Sequence, residues 1–414
     1  MLLTLEKVRQ TVKEVVDTTP LIDIHTHLFA PQFGDLLLWG IDELLTYHYL
    51  TAEVLRIAPI SLDEYWKMSK QEMAEYSWEH LFRRRSPVSE ACRGVLTCLE
   101  KFGIDPTEKS LETIRRYYAQ QKVDTFIDKA MDIANVKSMV MTNDPFDPQE
   151  TPVWNQVGNS DPRFQAALRI DPLLLNWGVA SDTIREQGFK VSPDFNDSCV
   201  SGIKKFLDHW GDKMNPRYMA VSLPPTFTYP DDSLCTRVID SCVIPFAMER
   251  KIPFAMMIGV KKLLHPGLRL AGDSVGKSKI ASVENLCLKY PNARFLVTFL
   301  SRENQHELCV TARKFNNLMP FGCWWFMNNP SIIEEMTRER LELLGLSFIP
   351  QHSDARVLDQ IVYKWKHSRR IIGQVLGDKY VDVVRTGWPV TKEEIEADVR
   401  QLFETNFERF VSGQ

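Results

Sequence analysis

Apolar residues in this chain fall into two patterns. The first is a set of short, nearly unbroken runs that end in polar residues: 21–27 (LIDIHTH), 136–144 (VKSMVMTND), 164–171 (FQAALRID) and 217–225 (RYMAVSLPP), then 252–260 (IPFAMMIGV), 293–301 (ARFLVTFLS), 319–328 (MPFGCWWFMN) and 346–354 (LSFIPQHSD). Runs of this kind describe strands buried on both faces, as in a parallel sheet. The second pattern has helical spacing, as in Leu5, Val8, Val12 and Val15 of the N-terminal stretch. Eight strand runs alternating with helical stretches predict an α/β protein. Eight units, with no G-x-G-x-x-G after any strand, fit a (β/α)8 TIM barrel better than an open doubly wound sheet.

The spacing between runs is uneven. More than a hundred residues separate the first run from the second, far more than one crossover needs. Within them, IDELLTYHYLTAEVLRIA and LDEYWKMSKQEMAEYSWEHLF both carry helical spacing. The reading is a single barrel domain over 1–414, with 30–130 as a helical insertion after strand 1, packed over the barrel mouth, and 357–414 as C-terminal helices. In the tail, Thr391 followed by Glu394 has the pattern of a capping box.

Composition changes this picture little. The chain has 414 residues, 44% hydrophobic and 25% charged, an ordinary globular balance. A formal charge of −4 gives no electrostatic reason to expect nucleic acid. Arg83-Arg84-Arg85 reads as a helix end or a subunit contact. Charges throughout the first 17 residues exclude a secretory core, and no apolar run is long enough to span a membrane. The eight cysteines are scattered with no C-x-x-C, the pattern of reduced thiols in a cytoplasmic protein.

Candidate chemistry lies where the strand runs end, because barrel active sites are built there. The first run ends in His25 and His27, which share a strand face. The second offers Asn143 and Asp144, and the third Arg169 and Asp171. The seventh offers Trp324, Trp325 and Asn328, and the eighth His352, Asp354 and Arg356. Strand eight lies beside strand one in a closed barrel, so Asp354 can join the two histidines. Two neutral imidazoles and a carboxylate suit one divalent ion, zinc foremost, with manganese or cobalt as alternatives. On a strand, Trp324 and Trp325 would face opposite ways, so only one would line the mouth. His352 would lie one layer deeper, as a core histidine. Arg169 and Arg356 suit a carboxylate ligand through their planar forks, unless Asp171 and Asp354 engage them as structural ion pairs.

DIHTHLF resembles the strand-one metal motif of the amidohydrolase superfamily, whose barrel is of the metal-dependent hydrolase type. YHYLTAEVLR, LRIDPLL, FGCWWFMNNP and HSDAR, in this order, resemble the uronate isomerases, specifically the divergent bacterial branch acting on glucuronate and galacturonate. The resemblance covers essentially the whole chain. It implies His25, His27 and Asp354 as metal ligands, with Tyr49, Arg169, Trp325 and Arg356 at substrate-contacting and catalytic positions. His48 is a further substrate contact by its place beside Tyr49. Typical members carry His-Ile-Gly where this chain has Met257-Ile258-Gly259, and a strand-four lysine and strand-six histidine common in the superfamily are missing.

The implied reaction interconverts D-glucuronate with D-fructuronate and D-galacturonate with D-tagaturonate through an enediol. It is an aldose–ketose isomerisation with one metal ion and no organic cofactor. Asp354 and Tyr49 are the candidates for moving protons, and Arg356 for assisting. The expected partner is a small hexuronate, with neither nucleic acid nor membrane, and the enzyme is expected as a homo-oligomer. The competing reading is a mononuclear metal-dependent hydrolase of a small acidic lactone or amide. A barrel that binds without catalysing is a third.

Overall fold

The computed structural model describes residues 2–156 and 161–413. Among these residues nine strands form: β1 (Leu21–Thr26), β2 (Val136–Asn143), β3 (Phe164–Arg169), β4 (Met219–Leu223), β5 (Phe254–Ile258), β6 (Val260–Lys261), β7 (Ser274–Val275), β8 (Phe295–Phe299) and β9 (Leu318–Pro320). Seven of them join in one curled parallel sheet, in the order β1-β2-β3-β4-β5-β8-β9. The other two, β6 and β7, make a small antiparallel pair beside the end of β5.

Why these segments pair is visible in which core each residue enters. Along β5, Phe254, Met256 and Ile258 enter the large core shared with the helices, whereas Ala255 and Met257 enter a second, inner cluster. The alternation repeats in β2 (Met139 and Met141 against Val140) and in β3 and β4, where Ala167 and Ala220 face the inside. Both faces are therefore dry, which produces the unbroken apolar runs. Small inner residues such as Ala167, Ala220 and Ala255 leave room for the sheet to curl.

The first six runs each contain a strand, but the last two differ from expectation. The ladder of β9 stops at Pro320, and Trp325–Met327 is a 3-10 turn. Residues 346–354 form no ladder strand, only an isolated bridge from Ile349 to Phe321. The backbone accounts for the first: Gly322 and Trp325 have φ of +66° and +49°, which no extended strand can hold, and Asp354, at +50°, ends the last run in the same left-handed region. The segment still lies between the sheet's two edges. Ile349 N donates to Pro320 O (3.0 Å) on one side, and Asp354 N donates to His25 O (3.0 Å) on the other.

Between β1 and β2 run helices that include His48–Ile57, Lys70–Trp78 and Glu90–Phe102. Ser61 and Ser69 close capping boxes here, with Glu64 and Glu72. The tail is helical over Gln360–Arg385, Lys392–Arg400 and Asn406–Ser412, and Thr391 with Glu394 makes the expected capping box. Phe407, Phe410 and Val411 of the last helix join the inner cluster, while Asn406 Nδ2 donates to Leu346 O (2.6 Å) and Phe348 O (2.8 Å). These contacts place the tail at the strands' N-terminal ends, away from the histidines. In the N-terminal helix Val8, Val12 and Val15 are buried, but Leu5, in its first turn, is 47% exposed. All eight cysteines are unpaired. Arg83 and Arg84 both engage Glu79 at a helix end. No helix among the described residues is long and apolar enough to cross a membrane.

Candidate active site

His25 and His27 emerge where β1 ends, and second partners fix which ring nitrogen each presents. The Tyr218 hydroxyl donates its single proton to Ile24 O (2.7 Å), so toward His25 Nδ1 (3.1 Å) it can only accept. Thr142 repeats the arrangement: its hydroxyl donates to Thr26 O (3.0 Å) and accepts from His27 Nδ1 (2.9 Å). Both imidazoles therefore carry their proton on Nδ1 and aim an Nε2 lone pair inward. Those nitrogens lie 3.7 Å and 3.3 Å from Asp354 Oδ1. Burial pushes the His25 pKa down to about 3, and burial together with Arg356 holds His27 well below its ordinary value. The pairs are thus not salt bridges. Three candidate ligand atoms converge within 4.8 Å of one another, and His25 Nε2 and Asp354 Oδ1 find no hydrogen-bond partner. That donor set fits one metal cation.

Asp354 is held in its left-handed conformation by what surrounds residues 352–355. Ser353 N donates to Asp23 Oδ1 (2.9 Å), and Trp365 Nε1 donates to Asp23 Oδ2 (2.8 Å). The buried Lys364 ammonium donates to Ser353 O (2.6 Å) and Asp354 O (3.3 Å). Asn328 Nδ2 donates to Ser353 O (3.2 Å), tying in the segment after β9. His352 sits beneath His25, ring centres 5.0 Å apart, fully buried with both nitrogens unpartnered. Gly322 packs against it so closely that a Cβ would lie 1.9 Å from the imidazole.

These side chains wall a narrow recess of about 30 Å³, formed by His25, His27, Asp354, Arg169, Arg356 and Lys262 with Ser222, His48, Trp324 and Trp325 around them. An outer cavity of about 610 Å³ shares His27, His48, Arg169 and Arg356 with it. Of the residues expected to hold the metal or contact the substrate, only Tyr49 lines neither space, and of the other strand-end candidates Asn143, Asp171, Asn328 and His352 also stand outside both. The Tyr49 hydroxyl is buried without a partner, behind Tyr47 and His48, whose rings are 4.9 Å and 4.6 Å away. Tyr47 is the tyrosine that faces the outer cavity.

A uronate isomerase of Bacillus halodurans, known from a crystal structure, matches with a TM-score of 0.97 and 55% identity, covering 99% of this chain and 97% of that one. The chain belongs to the uronate isomerase family. Two more distant structures share the fold: a uronate isomerase of Thermotoga maritima (TM-score 0.79, 16% identity, 98% and 97% covered) and a glucuronate isomerase of Caulobacter crescentus (0.80, 14%, 99% and 95%). No family sequence model and no curated protein matches the chain.

Within this uronate isomerase family member, several site features differ from what periodicity implied. Trp324 and Trp325 both line the recess, because they sit in a turn and not on a strand. Trp325 Nε1 is buried without a partner, and the Lys262 ammonium lies 5.5 Å from the Trp325 ring centre. Arg169 makes a bidentate pair with Asp171 (Nε–Oδ2 3.1 Å, Nη2–Oδ1 2.8 Å) yet still faces the recess. Arg356 makes no ion pair with Asp354; its guanidinium faces both spaces. Met257 is buried in the inner cluster with Trp324. Lys262, Tyr218, Thr142, Lys364 and Asp23 were not singled out from sequence. Lys364 alone left a trace, as a lysine amid the apolar IVYKW.

Proposed function

We propose that this chain interconverts D-glucuronate with D-fructuronate and D-galacturonate with D-tagaturonate, at a site built from His25, His27, Asp354, Arg169, Arg356, His48, Tyr49 and Trp325. One observation carries the reading of the site: two imidazoles and a carboxylate converge within 4.8 Å of one another in a recess walled by two arginines and a lysine. In this proposal the 349–355 segment is the eighth stave of a (β/α)8 barrel, and the helices between β1 and β2 roof its mouth within a single domain.

His25, His27 and Asp354 would hold one divalent ion, zinc by preference for two nitrogens and an oxygen. Bound there, such an ion supplies Lewis-acid stabilisation of negative charge on substrate oxygen. The remaining work falls to the chain. Arg356, Arg169 and Lys262 bind and orient the carboxylate, with Arg169 already held in place by Asp171. Trp325 and Trp324 form an apolar wall that excludes water. His48, whose pKa burial pushes down to about 3, stays neutral and offers Nε2 to a sugar hydroxyl.

The reaction needs a base to take the C2 proton while a donor protonates the C1 oxygen, giving the enediol. The proton then returns to C1 as the C2 hydroxyl loses its own. Burial holds the Tyr49 pKa well above its ordinary value, so Tyr49 keeps its proton, but its hydroxyl opens on neither space. Tyr47, which burial also keeps protonated and which faces the outer cavity, is the hydroxyl that suits the donor role, with Tyr49 packed behind it. That leaves Asp354 as the group that takes the C2 proton. The test is ketose formation from each uronate by the purified protein and by Asp354→Asn. Turnover confined to the parent protein supports the reading. No ketose from either sugar would refute it.

A further inference from the structure

The densest positive run in the sequence, Arg83-Arg84-Arg85, has two of its charges engaged by Glu79. A cationic cluster of a different kind is assembled in space from two helices. A cavity of about 430 Å³ lies between the N-terminal helix Leu5–Thr18 and the long helix Gln360–Arg385. Five cations line it, Arg9, Lys13, Lys366, Arg369 and Arg370, against one carboxylate, Asp17. This stands on a chain whose formal charge is −4.

The long helix supplies Lys366, Arg369, Arg370, Gly373, Gln374 and Gly377 to the cavity, a single stripe at helical spacing. The two glycines let the N-terminal helix approach, with Val16 3.5 Å and Arg9 3.8 Å from where their Cβ atoms would be. Arg369 forms the inner wall. It is 4% exposed, and its guanidinium donates to carbonyl oxygens, Val16 O, Thr19 O (2.8 Å) and Asn135 O (3.1 Å), and lies 5.1 Å from the Phe403 ring centre. Its Nε has no acceptor, and among the described residues no carboxylate pairs with it. Arg9 is engaged by Asp378, and Lys13 by Asp17 (3.0 Å). Among the described residues, Lys366 and Arg370 have no carboxylate partner, and Arg370 reaches only Gln374 Oε1 at 3.4 Å.

A buried guanidinium without a counter-ion is costly to desolvate, and an anion in the cavity offsets that cost. We propose that this cavity is a binding site for the phosphoryl group of a small phosphorylated molecule. Two terminal oxygens match the guanidinium forks of Arg369 and Arg370, and Lys366 adds a point charge at the rim. The volume lies within the usual range for small-molecule sites, so it accommodates more than a bare phosphate. The stripe faces away from Lys364, which contacts the 353–354 segment, and the cavity shares no lining residue with the uronate recess, so the two sites are separate.

The experiment titrates the metal-loaded enzyme with inorganic pyrophosphate and orthophosphate by calorimetry, and records the thermal midpoint at each concentration. Both anions are expected to bind, with pyrophosphate tighter and raising the midpoint by mass action. In Lys366→Ala/Arg370→Ala the affinity should fall at least about tenfold, equivalent to about 1.4 kcal/mol, with uronate turnover unchanged. In Arg356→Ala the pyrophosphate affinity should be preserved. Absence of binding at millimolar anion overturns the proposal. So does binding that the double variant keeps, or that Arg356→Ala removes, since the anion would then occupy the uronate recess.

Discussion

The candidate metal triad comes from two regions built on opposite principles. His25 and His27 stand at the end of β1, a strand whose hydrogen bonds to β2 fix the backbone before any side chain is considered. Asp354, with Trp325 and Arg356 beside it, stands on segments with almost no ladder, where residues 325 and 354 hold positive φ. The strand-borne half needs only one hydroxyl per histidine, from Tyr218 and Thr142. The irregular half is held by a carboxylate, an ammonium and an amide from three separate places, Asp23, Lys364 and Asn328, with the Trp365 indole fixing the carboxylate in turn. A regular element positions a ligand with few supports. An irregular one buys freedom of direction with many buried polar contacts, each of which must be satisfied.

The largest effect is expected from Asp354→Asn, which removes the anionic donor from the irregular half and leaves the backbone its hydrogen bonds. Uronate turnover should fall by about 10³-fold or more, in the range lost with a metal ligand that also moves a proton. Circular dichroism should remain that of the folded parent. Retained turnover would mean that the strand-borne histidines carry the chemistry without it.

Gly322→Ala strikes the same half through packing. The added methyl would overlap the His352 ring and sit at φ +66°, so His352 must move, and His25 lies against it. A loss of about 3 kcal/mol is expected, read as a lower urea midpoint at unchanged slope. A cost below about 1 kcal/mol would show that the irregular half repacks freely, contrary to the comparison drawn above.

The buried acid at the end of β2 gives a pH test of the strand-borne side. Glu150 Oε2 accepts from Asn143 Nδ2 (3.0 Å) and Asp144 N (3.1 Å), and burial pushes its pKa up to about 8. The folded protein therefore binds this proton more tightly than the unfolded chain. Glu150 contributes stability that is fully present below the ordinary carboxylate pKa and is lost as pH rises through about 8. Glu150→Gln should flatten the stability profile between those limits and make the protein more stable above pH 8, by about 2–3 kcal/mol. Denaturant midpoints at pH 5 and pH 8.5 decide it, and an unchanged slope would mean the carboxyl is ionised throughout.

Much of this was legible in the residues, and the division follows the same two regions. The strands showed themselves because burial on both faces writes an unbroken apolar run, and the histidine pair because alternation puts i and i+2 together. The triad's third member was legible by type, since an aspartate after an apolar run beside the first strand has few other uses. What periodicity could not see is backbone that departs from a period. Trp324 and Trp325 were placed on opposite faces by an alternation that ends at Pro320, so that both in fact line the recess. Tyr49 and Tyr47 differ by two residues at a helix start, and only the entry angle of the His48–Ile57 helix decides which faces the outer cavity. Supports such as Asp23 and Lys364 act across 330 and 11 positions of sequence, and no local pattern encodes such a pairing.

The smallest effect tests the strand-borne half alone. Tyr218→Phe deletes one oxygen and leaves the ring, which packs in the inner cluster. It takes away the acceptor for His25 Nδ1–H and the donor to Ile24 O, so the imidazole loses what holds its tautomer and orientation. Metal affinity should drop between about 10- and 100-fold, the usual cost of removing a ligand's hydrogen-bond partner, with a folding cost of about 1 kcal/mol. Competition against a chromophoric chelator measures the first and a denaturant titration the second. If affinity holds, β1 alone orients His25, and the strand-borne half needs even less support than its two hydroxyls suggest. If affinity falls as far as in Asp354→Asn, the regular backbone contributes little, and both halves of the site depend on their buried partners alike.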